Sequence, residues 1–253
     1  MLRLRHITFA CAEPRRLAEF WSGVLGYEPQ ERGESWAAVD MDGGGPELFF
    51  NLLPKSPTIE LPVHLDVNVP DREAAVERLV RLGAKIVVTK TQEAGELKET
   101  WTVMRDPEGN GFCVQGPDPR RPGPYIGNIT FACAEPRRVV GPFWARALGW
   151  REQEIPDDFL QMLRDANVDV DRELDAYYAI RESDTSAPRL LFQRREKSRP
   201  ASHPIHLDVT ADDRRREVER LVAAGASIAE TKTHGDRTWT VLRDPEGTPF
   251  CVE

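Results

Sequence analysis

Ten consecutive residues, Ile7-Thr-Phe-Ala-Cys-Ala-Glu-Pro-Arg-Arg16, return letter for letter at Ile129–Arg138. Three more blocks recur in the same order. Phe20-Trp21 returns as Phe143-Trp144, and His64-Leu-Asp-Val67 as His206-Leu-Asp-Val209. Trp101–Gly109 returns as Trp239–Gly247 with only Met104 replaced, by Leu242. One structural plan is therefore used twice, and any fold for this chain has to be built from two similar halves. The proline-rich stretch Gly116–Tyr125 reads as a stiff linker. The expected division is module one at 1–116, a linker at 117–124 and module two at 125–253. Just before the duplicated block the halves differ: His6 stands in the first, Asn128 in the second.

Within module one, His6–Ala10 reads as a strand. A helix follows, with Pro14 suited to its first turn and Leu17, Phe20, Trp21, Val24 and Leu25 on one face up to Gly26. Trp36–Met41 and Leu48–Leu53 read as strands. The pattern then restarts at Val63–Val69, which puts four aliphatics on one face and His64, Asp66 and Asn68 on the other. Asp71 is placed to cap a second helix, with Val76, Leu79 and Val80 expected inward and a stop at Gly83. Ile86–Lys90, Trp101–Arg105 and Gly111–Gln115 complete three strands, the last two joined by the turn Asp106-Pro-Glu-Gly109. Alternation puts Cys113 with Gln115, and Cys251 with Glu253, on one face of each final strand. Module two repeats the plan with a polar insertion at 151–188, expected to carry a helix around Asp158–Arg164. Its Tyr177, Tyr178 and Phe159 are placed either to close over a ligand or to pack locally.

A formal net charge of −8 excludes the dense basic surface that nucleic acid or an anionic membrane requires. No apolar run approaches the ~20 residues of a membrane span, and the first residues lack the apolar core of a secretory signal. Four cysteines in two repeat-related pairs do not make a disulfide scaffold and fit a reducing, cytoplasmic setting. There is no phosphate-binding glycine loop followed by lysine, and no Gly-x-Ser-x-Gly elbow.

Phe20-Trp21 with Leu25-Gly26-Tyr27, His64-Leu-Asp-Val67, Leu82-Gly83-Ala84 and Asp106-Pro-Glu-Gly-Asn110 resemble the vicinal oxygen chelate superfamily. This is the glyoxalase, bleomycin-resistance and extradiol-dioxygenase group, and the likeness is to its glyoxalase-like branch. The resemblance implies an α+β fold of four βαβββ units, forming two tandem modules with cup-shaped mixed sheets. It also implies ligand positions on the first and fourth strands of each unit. These fall on His6, Asn51, His64 and Cys113 in module one, and on Asn128, Gln193, His206 and Cys251 in module two.

The expected pocket residues are thus His6, Asn51, His64, Asp66 and Gln115 in module one, with Gln193, His206, Asp208 and Glu253 in module two. Within module one, His6, His64 and Cys113 would offer three ligands to a divalent zinc, iron or manganese ion, leaving a position for substrate. With Asn128 in place of a histidine, no metal is expected in module two. Against this stands the reading of the cysteines as small buried fillers and the histidines as pocket lining. The functional expectations divide accordingly. One is metal-assisted lyase, isomerase or dioxygenase chemistry on a small organic molecule with vicinal oxygens. The alternative is metal-free sequestration of a small molecule in the manner of bleomycin-resistance proteins. Both expect a small-molecule ligand, no nucleic acid or membrane partner, and a monomer or homodimer.

Overall fold

The computed structural model of the chain describes residues 2–31, 33, 35–41, 45–53, 63–94, 97–118, 121–182, 188–195 and 204–253. Four strand–helix–strand units follow one another. The first comprises β1 (Arg3–Cys11), α1 (Pro14–Leu25), β2 (Pro29–Glu31), β3 (Trp36–Val39) and β4 (Glu47–Leu52). The second comprises β5 (Val63–Asn68), α2 (Arg72–Arg81), β6 (Lys85–Ala94), β7 (Leu97–Arg105) and β8 (Gly111–Gln115). In the third, β9 (Tyr125–Cys133) leads through a widened turn at Pro136–Val140 into α3 (Gly141–Leu148), then β10 (Arg151–Glu152). The insertion supplies α4 (Asp157–Asp165) and α5 (Val170–Ala176) before β11 (Tyr177–Arg181) and β12 (Arg189–Arg194). The fourth comprises β13 (Ile205–Thr210), α6 (Arg214–Ala223), β14 (Ser227–His234), β15 (Arg237–Arg243) and β16 (Pro249–Val252). Among the described residues no helix is long and apolar enough to cross a membrane.

The helices form for the reasons their sequences give. In α1 the stripe Leu17, Phe20, Trp21, Val24 and Leu25 is buried, and Gly26 ends the helix at φ 80°, donating its N–H to Ser22 O at 2.7 Å. In α2 the Asp71 side chain accepts from Ala74 N at 3.0 Å. Its buried face is Ala75, Val76 and Leu79, whereas Val80, expected inward, is 43% exposed. Its position, one residue beyond Leu79, turns it about 100° away from the core stripe. The helix expected in the insertion is α4, but it buries no side chain, and Phe159 stays exposed.

Two eight-stranded mixed sheets result, and each draws on both halves of the chain. One runs β14-β15-β16-β13-β1-β4-β3-β2, the other β10-β11-β12-β9-β5-β8-β7-β6. The first, sheet A, therefore joins unit one to unit four, and sheet B joins unit two to unit three. The central seams are antiparallel pairs, β1 on β13 and β5 on β9. Alternation then sends Ile7, Phe9, Leu48, Phe50, Leu207 and Phe250 into the helix-covered core of sheet A, all at 0–1% exposure.

The helix-side core does not follow the sheets. Trp21 on α1 touches Phe9 of sheet A at 5.4 Å between ring centroids and Phe112 of sheet B at 5.3 Å. Its indole N–H reaches Asp106 Oδ2 at 3.4 Å. The same turn supplies Glu108, whose carboxylate accepts from Ala12 N (3.0 Å) and Glu13 N (2.8 Å) just ahead of α1. Module two repeats the arrangement, with Glu246 accepting from Ala134 N and Glu135 N at 2.7 Å and Asp244 from Trp144 at 3.3 Å. A carboxylate at a helix start satisfies backbone donors left without intrahelical partners. The two most exactly repeated stretches of the sequence are thus the two that grip each other.

Replacing Glu108 by Ala is expected to cost about 1–2 kcal/mol, read from urea denaturation, with Glu246→Ala costing a similar amount. A change of under a few tenths for both would mean the turn contributes nothing to stability. A second expectation concerns the halves. Residues 1–124 expressed alone leave β1 and β5 as open edges, which favour strand pairing between copies. Gel filtration should show dimers or larger assemblies, and a well-folded monomer would contradict the sheet assignment.

Candidate metal and ligand sites on the open faces

The side chains opposite the helices form matching rows on the two sheets. On sheet A, Glu47 of β4, His6 of β1, Asp208 of β13 and Cys251 of β16 stand in register on neighbouring strands. On sheet B the same row reads Arg189, Asn128, Asp66 and Cys113. One step along lie Phe49, Thr8 and His206 on sheet A, and Leu191, Thr130 and His64 on sheet B. His6, Thr8, Asp208, Asp66, Asn128 and Thr130 are all buried although no helix covers them, as polar side chains lining a curled sheet would be.

A bulge sets the aim of each row. The β1–β13 register slips at Arg5, beside His6, and the β5–β9 register slips at Gly127, beside Asn128. Such an extra residue bends the strand and redirects its neighbour. A Cβ at Gly127 would meet the Asn68 amide oxygen, so a larger residue there needs that side chain to move.

On sheet A, His6 Nδ1 lies 3.6 Å from Asp208 Oδ2 and His6 Nε2 lies 3.5 Å from Glu47 Oε2. His206 Nε2 is 3.2 Å from Asp208 Oδ1. Thr8 Oγ1 donates to Asp208 Oδ2 at 2.6 Å, while Oδ1 faces the His206 imidazole. Ligand atoms of His206, Asp208 and Cys251 lie within 4.8 Å of one another, and so do those of His6, Asp208 and Glu253. Burial opposes ionisation of Asp208, yet the charge of His206 and hydrogen bonds including that from Thr8 outweigh it and hold the carboxyl below the usual range. Burial, reinforced by Asp208, pushes the Cys251 thiol far up, so it is a neutral S–H unless a metal displaces the proton. Arg5 Nε donates to His6 Nε2 at 3.2 Å from an exposed side chain free to swing aside.

This donor set suits a divalent ion: the His6 and His206 imidazoles, the Asp208 and Glu253 carboxylates, the Cys251 sulfur, and Glu47 against His6. Sheet B fits one less well. His64, Asp66 and Cys113 also lie within 4.8 Å of one another. However, Asp66 Oδ2 is taken by Asn128 Nδ2 (2.8 Å) and Thr130 Oγ1 (2.7 Å), and Arg189 occupies the place of Glu47. Burial lowers the His64 pKa against the pull of Asp66, with Arg195 adding to the lowering, so the ring is kept neutral. Burial, then Asp66, raises the Cys113 thiol in the same way as Cys251.

The set expected from module one alone is not assembled. His6 belongs to sheet A, while His64 and Cys113 face each other across Asp66 on sheet B. His6 instead lies beside Asp208 and Glu253 of module two, with His206 on the other side of Asp208. Asn51 is in register with Ala10 and Trp36, four residues along β4 from the His6 row, and its place beside the histidine is taken by Glu47. Gln193 is likewise four residues from Arg189 and donates to the Tyr177 hydroxyl at 3.2 Å. Gln115 pairs with Asn68, two residues beyond the Cys113 row. Of the insertion aromatics, Tyr178 packs in the core against Phe192 and Tyr177 lies on the open face. Glu47 and Arg189 were legible by the same comparison that singles out His6 and Asn128: Pro46-Glu-Leu-Phe-Phe-Asn51 aligns with Pro188-Arg-Leu-Leu-Phe-Gln193.

The structure is similar to glyoxalase I from Zea mays, with a TM-score of 0.66, 13% identity and coverage of 100% of this chain and 92% of that one. It is also similar to a Bacillus subtilis protein provisionally assigned as a dioxygenase, with a TM-score of 0.62, 13% identity and coverage of 98% and 84%. At these identities the likeness establishes the fold. No curated protein matches the chain in sequence. The glyoxalase-like domain family matches residues 6–115 and 128–253. With the repeated βαβββ units and the two mixed sheets, that match makes this chain a member of the glyoxalase-like family of the vicinal oxygen chelate superfamily.

Proposed function

We propose that sheet A is a metal-dependent site for a small organic molecule offering two adjacent oxygens, formed between the modules and not within either. The observation that carries this is the convergence of His6 and His206 on the buried Asp208 carboxylate. His6, His206 and Glu47 would hold the ion, with Asp208 beside them. A divalent ion there would supply Lewis-acid polarisation of a coordinated oxygen. The chain's own contribution is proton transfer and orientation. Asp208 is kept ionised by its surroundings, and Glu253 lies within reach of both it and His6. Glu253 is placed to accept a proton from a carbon next to the bound oxygens, which is isomerase- or lyase-type chemistry, while the ionised Asp208 orients His206. Phe49, stacked on His6 with centroids 5.2 Å apart, fixes the imidazole plane and gives the site an apolar wall.

Metal analysis of the purified chain separates this reading from metal-free sequestration and from a site confined to module one. Wild type should carry near-stoichiometric zinc, iron or manganese, and His206→Ala and Glu47→Gln should lose most of it. His64→Ala should retain it. Wild type that takes up none of these ions on incubation would leave only the metal-free reading. Loss of metal in His64→Ala with retention in His206→Ala would return the site to sheet B.

A further inference from the structure

The open face of sheet A carries more than its polar row. Trp36 on β3 is in register with Asn51, two residues along β4 from Phe49, and Phe49 is in register with Thr8, two residues along β1 from His6. Side chains two apart on a strand share a face, so all three rings stand on the open side. They climb diagonally across three neighbouring strands. The Trp36 and Phe49 centroids are 5.2 Å apart with planes at 36°, and the Phe49 and His6 centroids are 5.2 Å apart with planes at 28°. At that spacing and tilt the three side chains present one ring surface.

Trp36 and Phe49 remain half-buried, whereas Phe9, Trp21 and Phe50 of the helix-side core are 0% exposed. Leaving large rings partly in water forgoes hydrophobic stabilisation, and an apolar surface beside convergent polar groups is the common make-up of a small-molecule site. The indole is also held in place. The Gly33 backbone lies against its edge so closely that a Cβ there would stand 3.3 Å from Nε1. Sheet B has no such surface: Leu191 and Asn128 take the places of Phe49 and His6, and Tyr177, in that of Trp36, keeps a single ring. The ladder starts at the His6 imidazole, so a molecule chelated there meets Phe49 first and Trp36 second.

We infer that the sheet A site takes an aryl-substituted molecule, its adjacent oxygens at the His6 end and its ring or fused rings laid along Phe49 and Trp36, which set its specificity. This rests on the metal-dependent reading of sheet A and adds the part of the ligand that does not react. Rings already fixed by their neighbours lose little freedom when a ligand stacks on them, so the platform favours flat, rigid ligands over flexible aliphatic ones.

The test is calorimetric titration of the full chain, loaded with the divalent ion it retains, using three hydroxamates that present the same oxygen pair. Acetohydroxamate has no ring, benzohydroxamate has one, and naphthohydroxamate has two fused. Wild-type affinity should rise about threefold or more with each added ring. Trp36→Val should bring the naphthyl probe down to the level of the phenyl probe, while keeping its metal and its affinity for acetohydroxamate. That selective loss is one a misfolded chain would not show. Phe49→Leu, which matches Leu191 on sheet B, should weaken both aryl probes about threefold or more relative to acetohydroxamate. Affinity independent of ring number in metal-loaded wild type, or an undiminished aryl preference in Trp36→Val, overturns the inference and leaves the metal reading standing. A wild type that takes up no ion and binds no probe overturns the two together.

Discussion

The grip of the acidic turn on the helix start is the constraint on which the rest of the structure depends. Glu108 takes the N–H groups of Ala12 and Glu13, and Asp106 takes the indole of Trp21 while also accepting from Asn110. These contacts fix unit two against unit one through their helix sides. With those faces joined, the seam strands β1 and β5 cannot pair with each other and are left to find partners in the other module. The second module, locked by Glu246 and Asp244 in the same way, offers β13 and β9. Cross-module sheets follow from an intramodular core.

That geometry changes what the duplication means chemically. Each open face takes its first and fourth strands from one module and its fifth and eighth from the other. Sheet A collects His6 and Glu47 with His206, Asp208 and Cys251, and sheet B collects Asn128 and Arg189 with His64, Asp66 and Cys113. The central Asp and Cys are common to both. The outer residues are not, and the difference is a reversal from acid and imidazole to guanidinium and amide. The shared residues set a polar floor common to the two faces, and the outer ones make the faces chemically different.

Much of this was legible in the residues. The repeat blocks, the alternation at Val63–Val69, the Asp71 cap and the stop at Gly26 each rest on local chemistry and lead directly to the observed elements. The grouping of His6 with His64 and Cys113 failed because strand partnership between distant segments has no local signature: nothing near β1 says that β13, and not β5, lies beside it. Asn51 was named, and Glu47 missed, for a related reason. The parallel register of β1 on β4 is set by packing of Ile7 and Phe9 against Leu48 and Phe50, and a slip of a few residues leaves the alternation of β4 unchanged.

The seam between β1 and β13 also imposes an order in time. It joins Arg3 to Thr210, so closing sheet A means closing a loop of most of the chain, whereas β5 with β9 joins residues less than a third as far apart at Asp66 and Asn128. Loop closure is entropically dearer and slower for distant segments. As the chain is synthesised, sheet B can zip while β13 to β16 are still to be made. The open face of sheet A is complete only when β16 docks Cys251 against Asp208. A chain stalled short of that last strand would already hold the open face of sheet B, with that of sheet A still unformed.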